Sequence, residues 1–466
     1  MPTVICILGG GGDLAKKKLF PALFELFIGK KLPSVFRIIG FARTVRSDAE
    51  YRLLVQEAVT TVIKDADVEC VAKFCEHIFY SAGTLSEKES YGVLEKTICL
   101  FENTIGTKVN RLFYLAIPPH EYESTFAQLH ASGIATTELS QKQFARILVE
   151  KPFGNDFESA QKLDSFLSSL FREDQIFRID HYLAKDAVQN ILSFRFANTL
   201  LQSAWDCTSI KEVHISLEEK TDVSTRGSFY DTVGALRDVG QNHLLQILAL
   251  IAMDEPKQLA SDMIRVKRAE VIEKLIPFTK EHTHKEMARA QYSGYTQTTG
   301  VQPETRTETY FELKTYINSK KWEGVPFYLK AGKALQKEKV AVQIIFHDVA
   351  TGPFETSSCE TVGNMIELEI SPQQAMHITL NVKKPGRKYQ VESNVLSHVW
   401  DAHYYGSMNA YEKVLLDCID GDQTVFASSA EVLASWKFIT SLLQVWDTVP
   451  LQTYAKGSDG PEQTLI

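Results

Sequence analysis

The sequence predicts an α/β domain over residues 1–179 followed by an α+β domain over residues 180–466, and three observations predict it. The opening third alternates short apolar runs with amphipathic stretches, the pattern of parallel strands covered on both faces by helices. That rhythm stops near Asp180, and from Thr307 onward strand-like segments follow one another without regular helices, as in a large antiparallel sheet. A chain of 466 residues with 44% hydrophobic and 23% charged content has enough apolar surface for two cores.

The elements follow in order. Val4–Leu8, Phe36–Ala42, Arg111–Ile117 and Ala145–Val149 read as strands, with helices starting near Asp13, Ser47 and His120 and another over Asp156–Phe171. Beyond Asp180, a helical run Val188–Phe196 leads to a strand at Val213–Leu217 and then to one long apolar helix, about Ser228–Met253. Thr309–Leu313, Val340–Phe346, Met365–Ile370 and Met376–Val382 read as sheet, and Ala410–Val445 returns to helix.

Charge and cysteine content exclude several classes. A formal charge of -8 gives no general attraction for nucleic acid or an anionic membrane, so any anion must be held by a local basic pocket. The seven cysteines, Cys6, Cys70, Cys75, Cys99, Cys207, Cys359 and Cys418, are odd in number, scattered and without a C-x-x-C pair. Reduced thiols and no metal site are expected. The N-terminal apolar run is too short to span a membrane and lacks the form of a cleavable leader, which makes a cytoplasmic protein the simplest expectation.

The first chemical signal is Gly9-Gly10-Gly11-Gly12-Asp13-Leu14-Ala15, placed where a strand runs into a helix. Both Gly10-x-Gly12-x-x-Ala15 and Gly9-x-x-Gly12-x-x-Ala15 suit a pyrophosphate lying on the backbone at a helix N-terminus, as in Rossmann-like dinucleotide-binding domains. The second strand ends Phe41-Ala42-Arg43-Thr44, with no acid to accept from a ribose 2'-hydroxyl. Arg43, with Arg46 and Ser47 close by, suits a 2'-phosphate, which favours NADP over NAD.

The second signal is Arg178-Ile179-Asp180-His181-Tyr182-Leu183-Ala184-Lys185, in which two bases, an acid, an imidazole and a phenol fall within eight residues. Unpaired ionisable groups cost several kcal/mol each to bury, so such a cluster lies in solvent or surrounds a polar ligand. Two more polar islands interrupt apolar sequence: Val149-Glu150-Lys151-Pro152-Phe153-Gly154, at the C-terminal end of a predicted strand, and Arg237-Asp238-Val239-Gly240-Gln241-Asn242-His243, inside the long helix.

These segments, with Gly12–Lys18, Leu115–Pro119, Phe171–Gln175, Arg226–Leu245 and Gly332–Leu335, resemble the glucose-6-phosphate dehydrogenase family in the family's order and over most of the chain. The resemblance implies oxidation of glucose 6-phosphate at C1 with NADP as hydride acceptor. It implies that His243 is the general base and that Asp180 orients its ring. It places His181, Tyr182 and Lys185 around the substrate phosphate, and Lys18, Lys151, Glu219, Asp238 and Lys333 against sugar or phosphate oxygens. Gly9, Gly12, Asp13, Leu14, Arg43, Pro118 and Lys151 fall on cofactor positions, and Pro152 at the junction of the domains. A homodimer or homotetramer is also implied, with Trp322, Trp400 and Trp436 as candidates for its interface or for the core.

Three departures from the family pattern stand out. Gly11 occupies a position where a Ser or Thr is common and offers no hydroxyl to phosphate. Ala184 and Asp186 replace a usual glycine and glutamate. Gly240 replaces a larger apolar residue, which predicts a locally loose helix beside the proposed base, since a helical glycine costs about 1 kcal/mol relative to alanine.

Overall fold

The computed structural model describes residues 1–135, 143–282, 286–348, 363–387, 391–400 and 408–465; Cys359 lies outside them. Strands β1 (Thr3–Leu8), β2 (Phe36–Ala42), β3 (Ile78–Ala82), β4 (Asn110–Leu115), β5 (Ala145–Val149) and β6 (Ile176–Ile179) pair in parallel in the order β6-β5-β4-β1-β2-β3. Every residue of β1 is buried, because its alternate side chains enter two different cores. Ile5 and Ile7 face one, and Val4, Cys6 and Leu8 the other, as a strand covered on both sides by helices requires.

The second sheet runs through β7 (Ile210–Glu218), β8 (Met287–Tyr292), β9 (Tyr310–Thr315), β10 (Phe327–Gly332), β11 (Lys339–Phe346), β12 (Met365–Ser371), β13 (Ala375–Lys383) and β14 (Val391–Val399). Two short strands come late in the chain: β15 (Phe426–Ala427) adds antiparallel to β6 of the first sheet, and β16 (Leu451–Tyr454) adds parallel to β8 of the second. Among the described residues the second sheet has the order β14-β13-β12-β11-β7-β10-β9-β8-β16. It is antiparallel except at β7–β10 and β8–β16, so the expected antiparallel sheet is mixed at two positions.

The long helix expected over Ser228–Met253 is broken once, at Gly234, between Gly227–Ala235 and a second run that is π-helical over Leu236–Leu244 and α-helical over Leu245–Ala252. The break has a physical cause. Gly234 sits at φ 73°, ψ 170°, where a Cβ would lie 2.5 Å from the Glu308 carboxylate. That buried carboxylate accepts the Leu236 N–H at 2.9 Å and the Trp446 indole N–H at 3.1 Å, so it caps the restarted helix. Gly240 is buried rather than loose: a Cβ there would come within 2.8 Å of the Phe311 ring. The missing side chain makes room for β9, and the predicted looseness is replaced by close packing.

Trp322 and Trp436 are buried and donate to Ala252 O and Phe153 O, which places them in the core and not at an interface. Among the described residues no helix is long and apolar enough to cross a membrane.

Candidate active site

Strand order reverses between β1 and β4, and in open α/β sheets ligands bind outside the carboxyl ends of strands at such a switch point. The glycine turn follows β1. Gly9 and Gly10 donate to Phe41 O at 2.8 and 3.2 Å, and Gly12 donates to Gly9 O at 2.9 Å, closing the turn. Gly9 lies at φ 87°, and a Cβ there would overlap the Ala116 carbonyl, so the end of β1 needs glycine to pass the end of β4. Tyr51, buried under the turn, donates to Gly10 O at 2.8 Å. Gly40 exists for this ring, since any Cβ at that position would overlap it. The helix that follows starts at Asp13 and runs through a π-helical stretch, Ala15–Leu19, to Ile28, so its N-terminus meets the glycine turn, where backbone N–H groups suit a phosphate.

Other residues expected to hold a cofactor follow β1 and its two neighbours, β2 and β4. Asp13 and Lys17 form an exposed pair at 2.8 Å, Arg43 is exposed at the end of β2, and Pro118 is exposed beyond β4. Ser47 is otherwise engaged. Its hydroxyl caps the Asp48–Val62 helix in a reciprocal box with Glu50, so the hydroxyl expected near a 2'-phosphate is a helix cap. Space beside Gly11 is open, and a Cβ placed there would meet only the Ala42 methyl carbon, at 3.9 Å. Gly11→Ser should fit and add one donor to a phosphate oxygen. A hydrogen bond worth ~1 kcal/mol gives an expected fall of about fivefold in the KM for a dinucleotide cofactor, measurable by initial rates.

At the ends of β5 and β6 the polar islands meet. His243 Nδ1 lies 2.6 Å from Asp180 Oδ1, with the two side chains only 1% and 4% exposed. Lys151 Nζ lies 3.0 Å from His243 Nε2 and donates to Asp238 O at 2.8 Å. An ammonium group can only donate, so Nε2 is the accepting nitrogen and the ring proton sits on Nδ1, pointing to Asp180. The Lys151–Pro152 peptide is cis. Lys333 donates to Glu219 at 2.5 Å and lies 3.9 Å from Asp238, which joins the end of β10 and the residue after β7 to the same cluster.

The segment after β6 wraps His243. Tyr182 packs on the His243 ring at 4.2 Å between centroids with the planes tilted by 31°, His181 meets it edge-on at 4.7 Å, and Lys185 Nζ sits 4.0 Å over the Tyr182 ring. Asp180 Oδ1 also accepts the Tyr182 N–H at 3.0 Å, while Oδ2 is buried without a hydrogen-bond partner. Lys18 is exposed, and no hydrogen bond or ion pair among the described residues ties it to this cluster. Arg178 turns away from the site to pair with Glu173 and Asp164 at 2.8 and 2.9 Å.

Electrostatics prepare the imidazole to accept a proton. Burial lowers the His243 pKa below its ordinary value; the Asp180 carboxylate opposes this and the Lys151 ammonium reinforces it. The imidazole is therefore neutral at neutral pH. Burial works to raise the Asp180 pKa, but His243, whose Nδ1 proton faces the carboxylate, and after it His181 and Lys151 hold it well below the usual carboxylate range. His181 is pushed down to about 3, first by burial and then by His243, so its ring is neutral at neutral pH. Burial also lowers Lys185, with Asp180 and Glu338 opposing.

Sequence reasoning missed Glu150. Its buried carboxyl accepts from Tyr114 at 2.6 Å, its carbonyl accepts from Tyr122 at 2.7 Å, and burial raises its pKa. The tyrosines hold the residue that precedes Lys151. Their only sequence signal is an acid inside an apolar run.

A glycine turn at the switch point of a parallel sheet, beside a buried carboxylate–imidazole pair, defines a dinucleotide-dependent oxidoreductase. Family models described as the glucose-6-phosphate dehydrogenase NAD binding domain and C-terminal domain match residues 6–190 and 192–465. A glucose-6-phosphate 1-dehydrogenase of Chlamydia muridarum is 35% identical, with 99% of this chain and 94% of the relative covered. An Arabidopsis thaliana relative, glucose-6-phosphate 1-dehydrogenase 6, cytoplasmic, is 37% identical, covering 98% and 89%. A solved glucose-6-phosphate dehydrogenase in complex with its substrate glucose-6-phosphate superposes with TM-score 0.91 at 33% identity, covering 99% of this chain and 95% of that one. The chain belongs to the glucose-6-phosphate dehydrogenase family. A levoglucosan dehydrogenase, at TM-score 0.53 and 10% identity, shares the fold alone.

Proposed function

We propose that the chain oxidises D-glucose 6-phosphate at C1 to 6-phospho-D-glucono-1,5-lactone with hydride transfer to NADP, the first oxidative step of the pentose phosphate pathway. The observation that carries this reading is the chain of contacts Asp180–His243–Lys151, with Lys333, Glu219 and Asp238 beside it. The nicotinamide, when bound, supplies the hydride acceptor. Gly9, Gly12, Asp13, Leu14, Arg43, Pro118 and Lys151 are the residues proposed to hold the cofactor. His243 Nε2 takes the proton of the 1-hydroxyl, and Asp180 fixes the ring and stabilises the imidazolium that forms. Lys151 must swing from Nε2 to a ligand oxygen for that lone pair to be free. Acids and bases mixed around the sugar suit hydroxyls, which both donate and accept.

Following NADP reduction with glucose 6-phosphate, then with glucose, then with NAD, tests the reading; comparable rates on glucose and on its 6-phosphate would end it. His181, Tyr182 and Lys185 are the proposed phosphate donors. Lys185→Ala removes the charged member, and charge-assisted hydrogen bonds contribute ~1.5–3 kcal/mol. The KM for glucose 6-phosphate is expected to rise about 10- to 100-fold, while kcat/KM on glucose changes little. Undiminished discrimination between the two sugars would remove Lys185 from the phosphate site.

The same reading places the division between domains at residues 179 and 180 and the enzyme in the cytoplasm as a homodimer or homotetramer. Supporting the assembly, β13 and β14 end the second sheet with Leu380, Val382, Val395, Leu396 and Val399 exposed, an apolar edge that a second copy would cover. Light scattering at the monomer mass across the working concentration range would contradict it.

A further inference from the structure

We propose that Ser435 and Trp436, neighbours on the Ser429–Trp446 helix, are positioning residues that set the separation between Lys151 and His243. The inference rests on the catalytic reading of His243. Lys151 and His243 lie 92 positions apart in sequence, on different layers of the molecule, yet their nitrogens meet at 3.0 Å. Each is anchored two residues away. The Trp436 indole N–H donates to Phe153 O at 2.7 Å, just past Lys151, and Gln241 Nε2 donates to Ser435 Oγ at 2.7 Å, just before His243. Ser435 Oγ gives its own proton to Val432 O at 2.9 Å, which leaves its lone pairs for Gln241. One turn on, Thr440 Oγ1 accepts the Phe157 N–H at 2.9 Å, a second tie to the loop that follows Lys151.

The helix that bears these anchors is itself fixed. Ser428 and Glu431 form a reciprocal cap at its start, and the fully buried Glu431 carboxylate accepts Arg268 Nε–H at 2.7 Å. Ser429 donates to Asp164 at 2.6 Å, and Asp164 in turn holds Arg178. Ser435 and Trp436 are buried and neither bonds to Lys151 or His243 directly, so each acts through another residue. Two adjacent positions on one helix thus gauge the gap between the two side chains.

The gap matters because the Lys151 ammonium occupies the lone pair that must receive the substrate proton and lowers the proton affinity of the ring. The other groups facing His243 are Asp180 at Nδ1, His181 and Tyr182 against the ring, and Asp238 from its own helix with Lys333 behind it. Trp436→Phe keeps one aromatic ring and releases the Phe153 carbonyl at the cost of a small cavity, so it loosens the Lys151 arm without removing any of those groups.

The test uses the full-length enzyme and two readouts: the acid limb of kcat/KM for glucose 6-phosphate with NADP, and the titration of His243 by NMR of ¹³C-labelled imidazoles, assigned with His243→Asn. In Trp436→Phe both are expected to move up by about half a pH unit, as an ammonium retreats from the ring. A fall of about tenfold in kcat should accompany this, with the KM for NADP changed less than about twofold. Lys151→Met should move both readouts further in the same direction, and adding Trp436→Phe to it should move them no more. Ser435→Ala, which releases the other anchor with little change in volume, is expected to shift them the same way and serves if Trp436→Phe does not fold. Variants of reduced thermal stability whose acid limb and His243 titration match the wild type would make the helix a structural brace only and overturn the proposal. Absence of glucose 6-phosphate oxidation in the wild type would instead remove the catalytic reading, and the NMR titration would still decide whether the anchors set the gap.

Discussion

His243→Asn is expected to lower kcat about 10³-fold while the KM for glucose 6-phosphate changes less than about threefold, since a positioned general base contributes ~10²–10⁴. Asparagine matches the imidazole poorly in shape but keeps a polar group at the Asp180 end, so the buried carboxylate is not left unpaired. The two-parameter outcome is what matters. Equilibrium dialysis should show sugar phosphate still bound, because none of the proposed phosphate donors is touched. Turnover within tenfold of the wild type, with binding intact, would place the base elsewhere.

Asp180→Asn should cost about 10²–10⁴ in kcat, because an amide can donate to Nδ1 and force the proton onto Nε2, where it blocks the lone pair. The pH dependence gives an independent check. The Asp180 carboxylate raises the His243 pKa, so its removal leaves an imidazole that holds its proton less tightly. Residual activity in Asp180→Asn is therefore expected to persist to lower pH than in the wild type. Loss of Lys151 should act in the opposite sense, since its charge lowers the same pKa. Acid limbs moving in the same direction in the two variants would contradict the arrangement of the three groups.

Much of the site is legible in the sequence because its cost shows there. Ionisable groups set into apolar runs, as in the segments around Lys151, Asp180 and His243, have no structural use unless something pairs them, and the fold pairs them with one another. Other features leave no such trace. Gln241 and Ser435 bond across 194 residues, and neither belongs to a pattern that would point to the other. Strand β6 escapes a reading by pattern because it has four residues and carries Arg178 within it, a charge tolerated only because Glu173 and Asp164 meet it. Strand β3 is five residues long and half-buried, too short for its alternation to speak. The broken helix reads as continuous because its apolar period survives the break; the cause, a buried Glu308 some seventy positions downstream, is a tertiary fact.

Strand β15 carries a consequence for how the molecule is made. Residues 426–427 supply the outermost strand beside β6, and Arg268, from a helix packed against this late region, grips Thr424 O and Phe426 O at 2.8 and 2.9 Å. During synthesis, then, the nucleotide half emerges from the ribosome early but keeps a raw flank until residues 426–427, about 250 positions after β6, have been translated. A nascent chain stalled short of that point would present an unpaired edge to its neighbours, and holding it apart from them is work for a chaperone.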